Sequence, residues 1–427
     1  MSQKPRIILI GPLPPPYIGP SVATKMILES YLNRQFRLLH LDTSDHRSVV
    51  SIGVLDVRNI YLAILHLLRI WAMLIKYSPR IVYIPICQTT RGYLRDTIFI
   101  LLSKMFGARI IIHLRGGYFR RLYEDSSTFV KFVIKNSCKF VSRAIVLGES
   151  LRYIFEGLVP TESIVVVPNG IDSNYITEED LRKAQKDKSR KSEIYSTTKS
   201  LNKTATQEVT QLPDDSVTKR AKETLGTRHY ALCSEFRILF LSNLIISKGY
   251  FDVIKAIPIV TQLPNNTITE SNVKFIFAGD AYENEQANKQ VSEYIRENNL
   301  SPYVKFTGPI KGQEKKELLL SADIFVLPTY YPYEGQPWVI VEAMAAGLPI
   351  IATDHGCIKE MVIDNENGFV VEKQNPKQIA EKINLLLRDN DLRHRMGEKS
   401  RKRFLKYYTK DDFIDRLDKI FDSVISE

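Results

Sequence analysis

Short apolar runs alternate with longer amphipathic stretches along most of the 427 residues, the pattern of a parallel sheet flanked by helices. In the first half, strands are predicted at Arg6–Ile10, Arg37–Leu41, Ile81–Ile84, Arg109–His113, Ala144–Leu147 and Ser163–Val167. Helices are expected between them near Ser21–Leu32, Val57–Lys76, Leu94–Phe106 and Ser126–Cys138. A second series of strands begins at Phe236–Leu241 and continues through Lys274–Ala278, Val304–Thr307, Ile324–Pro328 and Pro349–Thr353. Between the two series, residues 178–235 are rich in Lys, Ser, Thr, Glu and Gln with little apolar periodicity. Such a stretch buries too little to offset its ordering entropy, so it is expected to be a mobile insertion with room for a pair of short helices. The chain therefore reads as an α/β protein divided into a domain at 1–177, a polar linker at 178–235 and a second domain at 236–409. A final helix at 410–427 has Phe413, Leu417, Ile420, Phe421 and Ile425 near helical spacing. It either packs on its own domain or crosses back to the first.

Length agrees with two domains of about 150–200 residues each. Charge is uneven. Residues 1–160 hold 22 Lys+Arg against 9 Asp+Glu, and the remainder holds 37 against 39. A basic N-terminal half suits anionic lipid headgroups or a phosphorylated lipid, and equally an ordinary solvated surface. Nucleic acid is disfavoured, because no binding motif is present and the basic residues are not clustered with stacking aromatics. Cys87, Cys138, Cys233 and Cys357 lack paired spacing, which points to a reducing compartment rather than a disulfide framework or zinc site. The start is not read as a signal peptide, and the apolar run Ile60–Tyr77 is interrupted by His66, Arg69 and Lys76, which argues against a spanning helix. A cytoplasmic location, with a peripheral position on the inner membrane face as its extension, is the expectation.

The chemistry concentrates in residues 327–349. A strand is expected to end near Pro328, followed by a loop to Gln336. Pro337 suits the first position of a helix, and Gly347 followed by Pro349 closes it. Glu334 then lies just ahead of a helix N-terminus and Glu342 within the helix. Free N–H groups and the positive dipole end favour a diphosphate there, and a carboxylate on each side can accept from sugar or ribose hydroxyls. Taken alone, the same spacing also fits a helix cap and a solvent-facing position.

This segment resembles the E-x7-E signature of the retaining GT-B glycosyltransferases of family 4. Its continuation, Glu342 to Gly356 (E-A-M-A-A-G-L-P-I-I-A-T-D-H-G), is similar to the same family's E-A-M-A-x-G-x-P-V-I-A-T-x-x-G. The resemblance implies two Rossmann-like domains facing across a cleft, with Glu334 on donor-sugar hydroxyls and Glu342 on the nucleotide ribose. Backbone amides after Glu334, at Gly335 and Gln336, would touch sugar and phosphates, while Pro337 has no amide to offer. Trp338 stands where a smaller apolar residue is common.

Four further places resemble the family. The loop Gly11–Ser21 is similar to P-P-x-G-G, with Gly19 retained to let backbone approach a phosphate and Ile18 in place of the first glycine. His113 ends a strand in a segment resembling H-x-H-G, which implies a role near the donor sugar; Arg115 replaces the second His, a charge suited to a phosphate-bearing acceptor. Residues 167–172 (V-P-N-G-I-D) resemble a structural Asn-Gly turn near the hinge. Residues 241–249 (L-S-N-L-I-I-S-K-G) are similar to G-R-L-x-x-x-K-G, where Arg and Lys clamp the diphosphate; Lys248 is kept and Asn243 stands in the Arg position, able to donate but not to neutralise charge.

The resemblance thus implies a metal-independent, retaining transferase with no cofactor, using a UDP- or GDP-sugar as donor substrate. A glycan or polyprenyl-diphosphate-linked glycan would be the acceptor, in surface polysaccharide or glycoconjugate synthesis. Asp389 and Asp391 have the D-x-D spacing of metal-dependent transferases but fall in a polar turn between helices. An NAD-dependent dehydrogenase is disfavoured, since no G-x-G-x-x-G follows the first strand. A degenerate, non-catalytic binder of nucleotide sugar or glycan is the alternative, supported by Ile18 and Asn243.

Overall fold

The computed structural model describes residues 4–15, 18–44, 57–189, 235–261, 273–281 and 285–427. Two parallel six-stranded sheets organise the chain. The first comprises β1 (Arg6–Gly11), β2 (Arg37–Asp42), β3 (Ile81–Ile86), β4 (Arg109–Leu114), β5 (Val141–Val146) and β6 (Ile164–Val166), in the order β2-β1-β3-β4-β5-β6. The second comprises β7 (Phe236–Leu241), β8 (Val273–Ala278), β9 (Val304–Gly308), β10 (Ile324–Leu327), β11 (Ile350–Thr353) and β12 (Gly368–Val371), in the order β12-β11-β10-β7-β8-β9. Strand order reverses between β1 and β3 in one sheet and between β7 and β10 in the other. In open parallel sheets such a reversal leaves a crevice beyond the strand carboxyl ends.

Side-chain alternation gives the first sheet two buried faces. Ile8, Ile10, Val82, Ile84, Ile110 and Ile112 pack beneath α3 (Val57–Tyr77), α4 (Thr90–Met105), α5 (Phe119–Asp125) and α6 (Thr128–Cys138). Ile7, Leu9, Ile81, Tyr83, Ile111 and Ile145 face the opposite way, against α1 (Gly19–Leu28), α2 (Leu32–Gln35) and the C-terminal helix Lys410–Ser426. That helix seats Phe413, Ile414, Leu417, Phe421 and Val424 on this face, so the chain returns to the first domain at its end.

The two crossings lie side by side. Ile171 N–H donates to the Tyr408 carbonyl at 3.0 Å, and Lys410 N–H donates to the Ile171 carbonyl at 2.7 Å. A Cβ at Gly170 would sit 2.0 Å from the Thr409 carbonyl oxygen, so only glycine admits this contact.

The polar linker begins as a helix, α7, at residues 178–189. It is tied to the second domain by Asp180 with Lys316 at 2.7 Å, Lys188 with Asp323 at 3.2 Å and Glu178 with Arg401 at 3.1 Å. Ion pairs and a single apolar anchor, Leu181 on the second domain's core, hold it, which periodicity does not report. The rest of the insertion expected at 178–235, residues 190–234, lies outside the described residues. Asp389 caps the helix Asn390–Tyr407 by accepting from Leu392 N–H at 2.8 Å. Among the described residues, no helix is long and apolar enough to cross a membrane.

Candidate active site

β10 ends at Leu327 and the loop 328–336 leads into α11, residues Trp338–Ala345 (α8, Tyr250–Thr261, α9, Glu285–Glu297, and α10, Gly312–Ser321, precede it). Gly347, at φ +66°, ends this helix in the left-handed conformation that favours glycine. From β7 the chain passes through Asn243 and a short 3-10 turn, Ile246–Lys248, to Gly249 at φ +86°. A Cβ on Gly249 would meet the Pro328 carbonyl oxygen at 2.4 Å, so the loops after β7 and β10 lie in backbone contact. Tyr330 N–H donates to the Ser247 carbonyl at 2.7 Å and secures them. The reversal point of the second sheet is therefore lined by Lys248 on one side and Glu334 on the other.

Lys248 Nζ pairs with Glu334 Oε2, both groups nearly buried, and the ammonium lies 4.5 Å from the centre of the Tyr331 ring. His355 donates from Nε2 to the Tyr331 carbonyl at 2.7 Å. Burial holds its imidazole below its ordinary pKa, and Lys373 and Lys248 add to that against the opposing Tyr331 bond and Glu334 charge. Lys373 follows β12 at the same end of the sheet, and the sequence reading did not single it out. Asn243 is exposed.

Glu342 faces a different partner. Its Oε1 pairs with Lys315 of α10, and its Oε2 is buried without a hydrogen-bond partner among the described residues. Burial pushes this carboxyl above its ordinary range, opposed by the Lys315 ammonium. Burial and then the Glu342 charge raise the pKa of Tyr175, on the crossing segment, and its buried hydroxyl has no partner among the described residues. A buried carboxylate oxygen and a buried hydroxyl left open in one place are costly unless something polar completes them. Neither Lys315 nor Tyr175 stands out in sequence, because each is brought in by a different element.

On the facing domain, His113 is the penultimate residue of β4 and is fully buried. Arg115 Nη2 donates to the Tyr83 hydroxyl oxygen at 2.9 Å, and that hydroxyl lies 2.6 Å from His113 Nδ1. His113 Nδ1 is the acceptor within reach of the Tyr83 proton among the described residues; with that bond made, His113 carries its own proton on Nε2, the tautomer that leaves fewest buried polar groups open. Burial, then the Arg115 charge, hold the imidazole well below its ordinary pKa, so it is neutral. The Nε2–H is a buried donor without a partner among the described residues. Arg115 also donates from Nη1 to Asn169 Oδ1 at 2.7 Å and stacks 5.5 Å from the Phe413 ring centre. Its charge therefore organises Tyr83, Asn169 and the C-terminal helix.

The two domains meet through glycines. A Cβ on Gly117 would lie 2.4 Å from the Glu334 carbonyl oxygen, and one on Gly335 would lie 2.8 Å from Gly116 Cα. Gly19, at the start of α1, has the Trp338 indole nitrogen 3.0 Å from where its Cβ would stand. Trp338 thus closes on the β1–α1 loop from the other domain. Gln336 uses its side chain across the cleft, where Oε1 accepts from Asn169 N–H at 2.5 Å and Nε2 donates to the Asn169 carbonyl at 3.3 Å. Any donor contact from Gln336 is left to its backbone. Glu360 accepts from Glu149 N–H at 2.9 Å and Ser150 N–H at 2.7 Å, a second link between domains. A shallow depression of about 430 Å³ beside Lys4, Phe36 and Arg37 lies at the start of β2, away from these residues.

Two facing Rossmann-like sheets with a cleft at their reversal points define the GT-B fold. HepE of Anabaena, solved in complex with UDP-glucose, superposes with a TM-score of 0.64 at 17% identity, covering 98% of this chain and 99% of that one. Residues 233–403, most of the second domain, match the family model described as Glycosyl transferases group 1. The capsular polysaccharide biosynthesis glycosyltransferase CapM of Staphylococcus aureus is 26% identical over 200 residues, 47% of this chain and 49% of that protein. An N,N'-diacetylbacillosaminyl-diphospho-undecaprenol alpha-1,3-N-acetylgalactosaminyltransferase of Campylobacter jejuni is 37% identical over 110 residues, 26% of this chain and 28% of that protein. The chain spans about half the length of the first curated relatives it matches.

Proposed function

We propose that this chain is a retaining, metal-independent glycosyltransferase. It moves a sugar from a nucleotide-diphosphate donor, UDP- or GDP-linked, to a glycan or polyprenyl-diphosphate-linked glycan in surface polysaccharide or glycoconjugate synthesis. One observation supports this reading most: the Lys248–Glu334 ion pair lies where the loops after β7 and β10 meet, and the helix that follows carries the half-satisfied Glu342. The names of the relatives support it, since CapM serves capsular polysaccharide synthesis and the Campylobacter protein is named for an undecaprenol-diphosphate-linked acceptor.

In this reading Glu342 Oε2 and the Tyr175 hydroxyl take the ribose hydroxyls that complete them. Lys248 leaves Glu334 and moves onto the diphosphate, which frees the Glu334 carboxylate for donor-sugar hydroxyls. The N–H groups at the start of α11 and the Lys373 charge assist the leaving group, offsetting the absent Arg at Asn243. Neutral His113 donates from Nε2 to a sugar hydroxyl, while Gly19 lets the β1–α1 loop approach the phosphates. The acceptor oxygen bonds to the anomeric carbon as the sugar–phosphate bond breaks. Its proton passes to the departing phosphate oxygen on the same face, so no protein nucleophile is required. A non-catalytic binder of the same fold is the weaker reading, because Glu334, Lys248 and Glu342 are all present.

Thermal denaturation with a panel of nucleoside diphosphates and nucleotide sugars tests the donor assignment. A ligand at 100 times its Kd adds about 2.7 kcal/mol to stability. UDP or GDP should raise the melting temperature of the native chain, and Glu342→Gln should remove most of that rise. An equal rise in the variant would refute the ribose role.

A further inference from the structure

α3, α4 and α6 lie side by side over one face of the first sheet, with α3 packed on α4 and α4 on α6. Their inward residues, such as Leu74, Phe99 and Ile134, fill the core. Their outward faces are also apolar. On α3, Val57, Tyr61, Ile64, Leu68, Trp71 and Ile75 recur at helical spacing, and each is at least half exposed. Met105 on α4 and Phe129 and Phe132 on α6 are exposed still further than the middle of that stripe. Scattered exposed apolar residues are ordinary, but a continuous patch over three adjacent helices marks an interaction surface.

The charges beside the patch identify its partner. Arg58, Arg69, Lys76, Arg91, Lys104 and Lys135 are exposed on these helices. The helices carry a single acid, Asp96, which is buried and paired with Arg95 at 2.8 Å. Glu124 and Asp125, just before α6, are each paired with an Arg of α5. A second copy of the chain would bring cations against cations, so self-association is opposed. Large aromatic and aliphatic side chains ringed by Lys and Arg that no acid of the described residues pairs complement an anionic bilayer, where the apolar groups enter the headgroup boundary and the cations meet lipid phosphates.

We infer that the α3–α4–α6 face docks the first domain onto an anionic lipid bilayer. In a parallel α/β domain the helices run antiparallel to the strands, so their N-terminal ends lie at the strand carboxyl ends. Val57, Arg91 and Phe129 therefore lie at the cleft end of the face, and Ile75 and Met105 at the far end. A chain lying on this face keeps its cleft beside the bilayer, within reach of an acceptor held there by its lipid. The inference adds the docking face to the transferase reading, and its test is independent of turnover.

Flotation of the full chain with phosphatidylcholine vesicles, with and without phosphatidylglycerol, tests it. Binding is expected on the anionic vesicles, with a blue shift of Trp71 fluorescence in a Trp338→Phe background. Arg69→Gln and Lys76→Gln should each weaken binding roughly fivefold, the equivalent of about 1 kcal/mol per cation. Leu68→Glu with Trp71→Glu should abolish binding while the melting curve and its nucleotide shift stay those of the native chain. No binding, equal binding to both vesicle types, or unchanged binding by the Glu variant would overturn the inference. So would a concentration-dependent dimer that the same substitutions dissolve. A chain that floats with vesicles yet cleaves no nucleotide sugar would leave the docking face standing and remove the transferase reading.

Discussion

At the scale of residues, the charged side chains Lys248 with Glu334 and Lys315 with Glu342 satisfy one another. Lys248 and Glu334 form an ion pair in a nearly buried corner, where breaking a pair costs more than the pair contributes. Lys248→Met leaves a carboxylate without its cation, so both stability and turnover should fall, the latter by about 100-fold or more from the lost leaving-group charge. Glu334→Gln should cost less stability, because the amide keeps an oxygen for Lys248 and the Tyr331 ring still faces the ammonium, and should lose turnover to a similar extent. The double variant separates the two effects: its melting temperature should recover toward native while its activity stays low. Recovery of turnover along with stability would make the pair merely structural. Glu334 and Glu342 stand out in sequence because they sit inside a long matching string, and Lys248 because the separate segment 241–249 keeps its K-G. Tyr175, Lys315 and Lys373 were not, since each comes from a separate element and only folding places it there. Arg115 read as a free charge in sequence because its partners Tyr83, Asn169 and Phe413 are 32, 54 and about 300 positions away.

At the scale of elements, apolar runs located the strands well. Arg6–Ile10 became β1 at Arg6–Gly11, and Ile324–Pro328 became β10 at Ile324–Leu327. Gly368–Val371, a short strand at the sheet edge, escaped notice, since four residues carry too little pattern. The apolar face of α3 was visible in sequence; that half of it points outward was not, because periodicity does not say which apolar stripe is covered. The same helix buries His66 on its inner side, where burial and the charges of Arg95 and Arg69 lower its pKa from 6.5 to about 4, against the opposing charge of Asp42. The unfolded chain therefore binds a proton that the folded chain refuses between pH 6.5 and 4. Stability from this group is full above pH 6.5 and is lost as pH falls toward 4. His66→Leu should flatten the decline in melting temperature across that window, and an unchanged slope would show that His66 does not control it.

At the scale of the molecule, two α/β units are joined by adjacent crossings at Ile171 and Thr409 and meet through backbone contacts at Gly116, Gly117 and Gly335. The two-domain architecture followed from the alternation of runs on either side of a polar stretch. How closely the domains approach did not, because interdomain contacts by Gln336 and Glu360 are single side chains reaching distant backbone. In the proposed transfer these contacts would confine the donor corner and keep water from a bound donor. The glycines at the seam allow the loop after β4 to lie directly on the loop that carries Glu334.

The central claim is cleavage of a nucleotide sugar at Lys248 and Glu334. Its most direct test is release of UDP or GDP from nucleotide sugars by the purified chain, with polyprenyl-diphosphate-linked and free glycan acceptors, against Glu334→Gln and Lys248→Met. The account predicts slow release without acceptor, faster release with one, an anomeric product of retained configuration, and loss of about 100-fold in each variant. Release that is equal in native chain and variants, or no release with any nucleotide sugar that stabilises the fold, would contradict it.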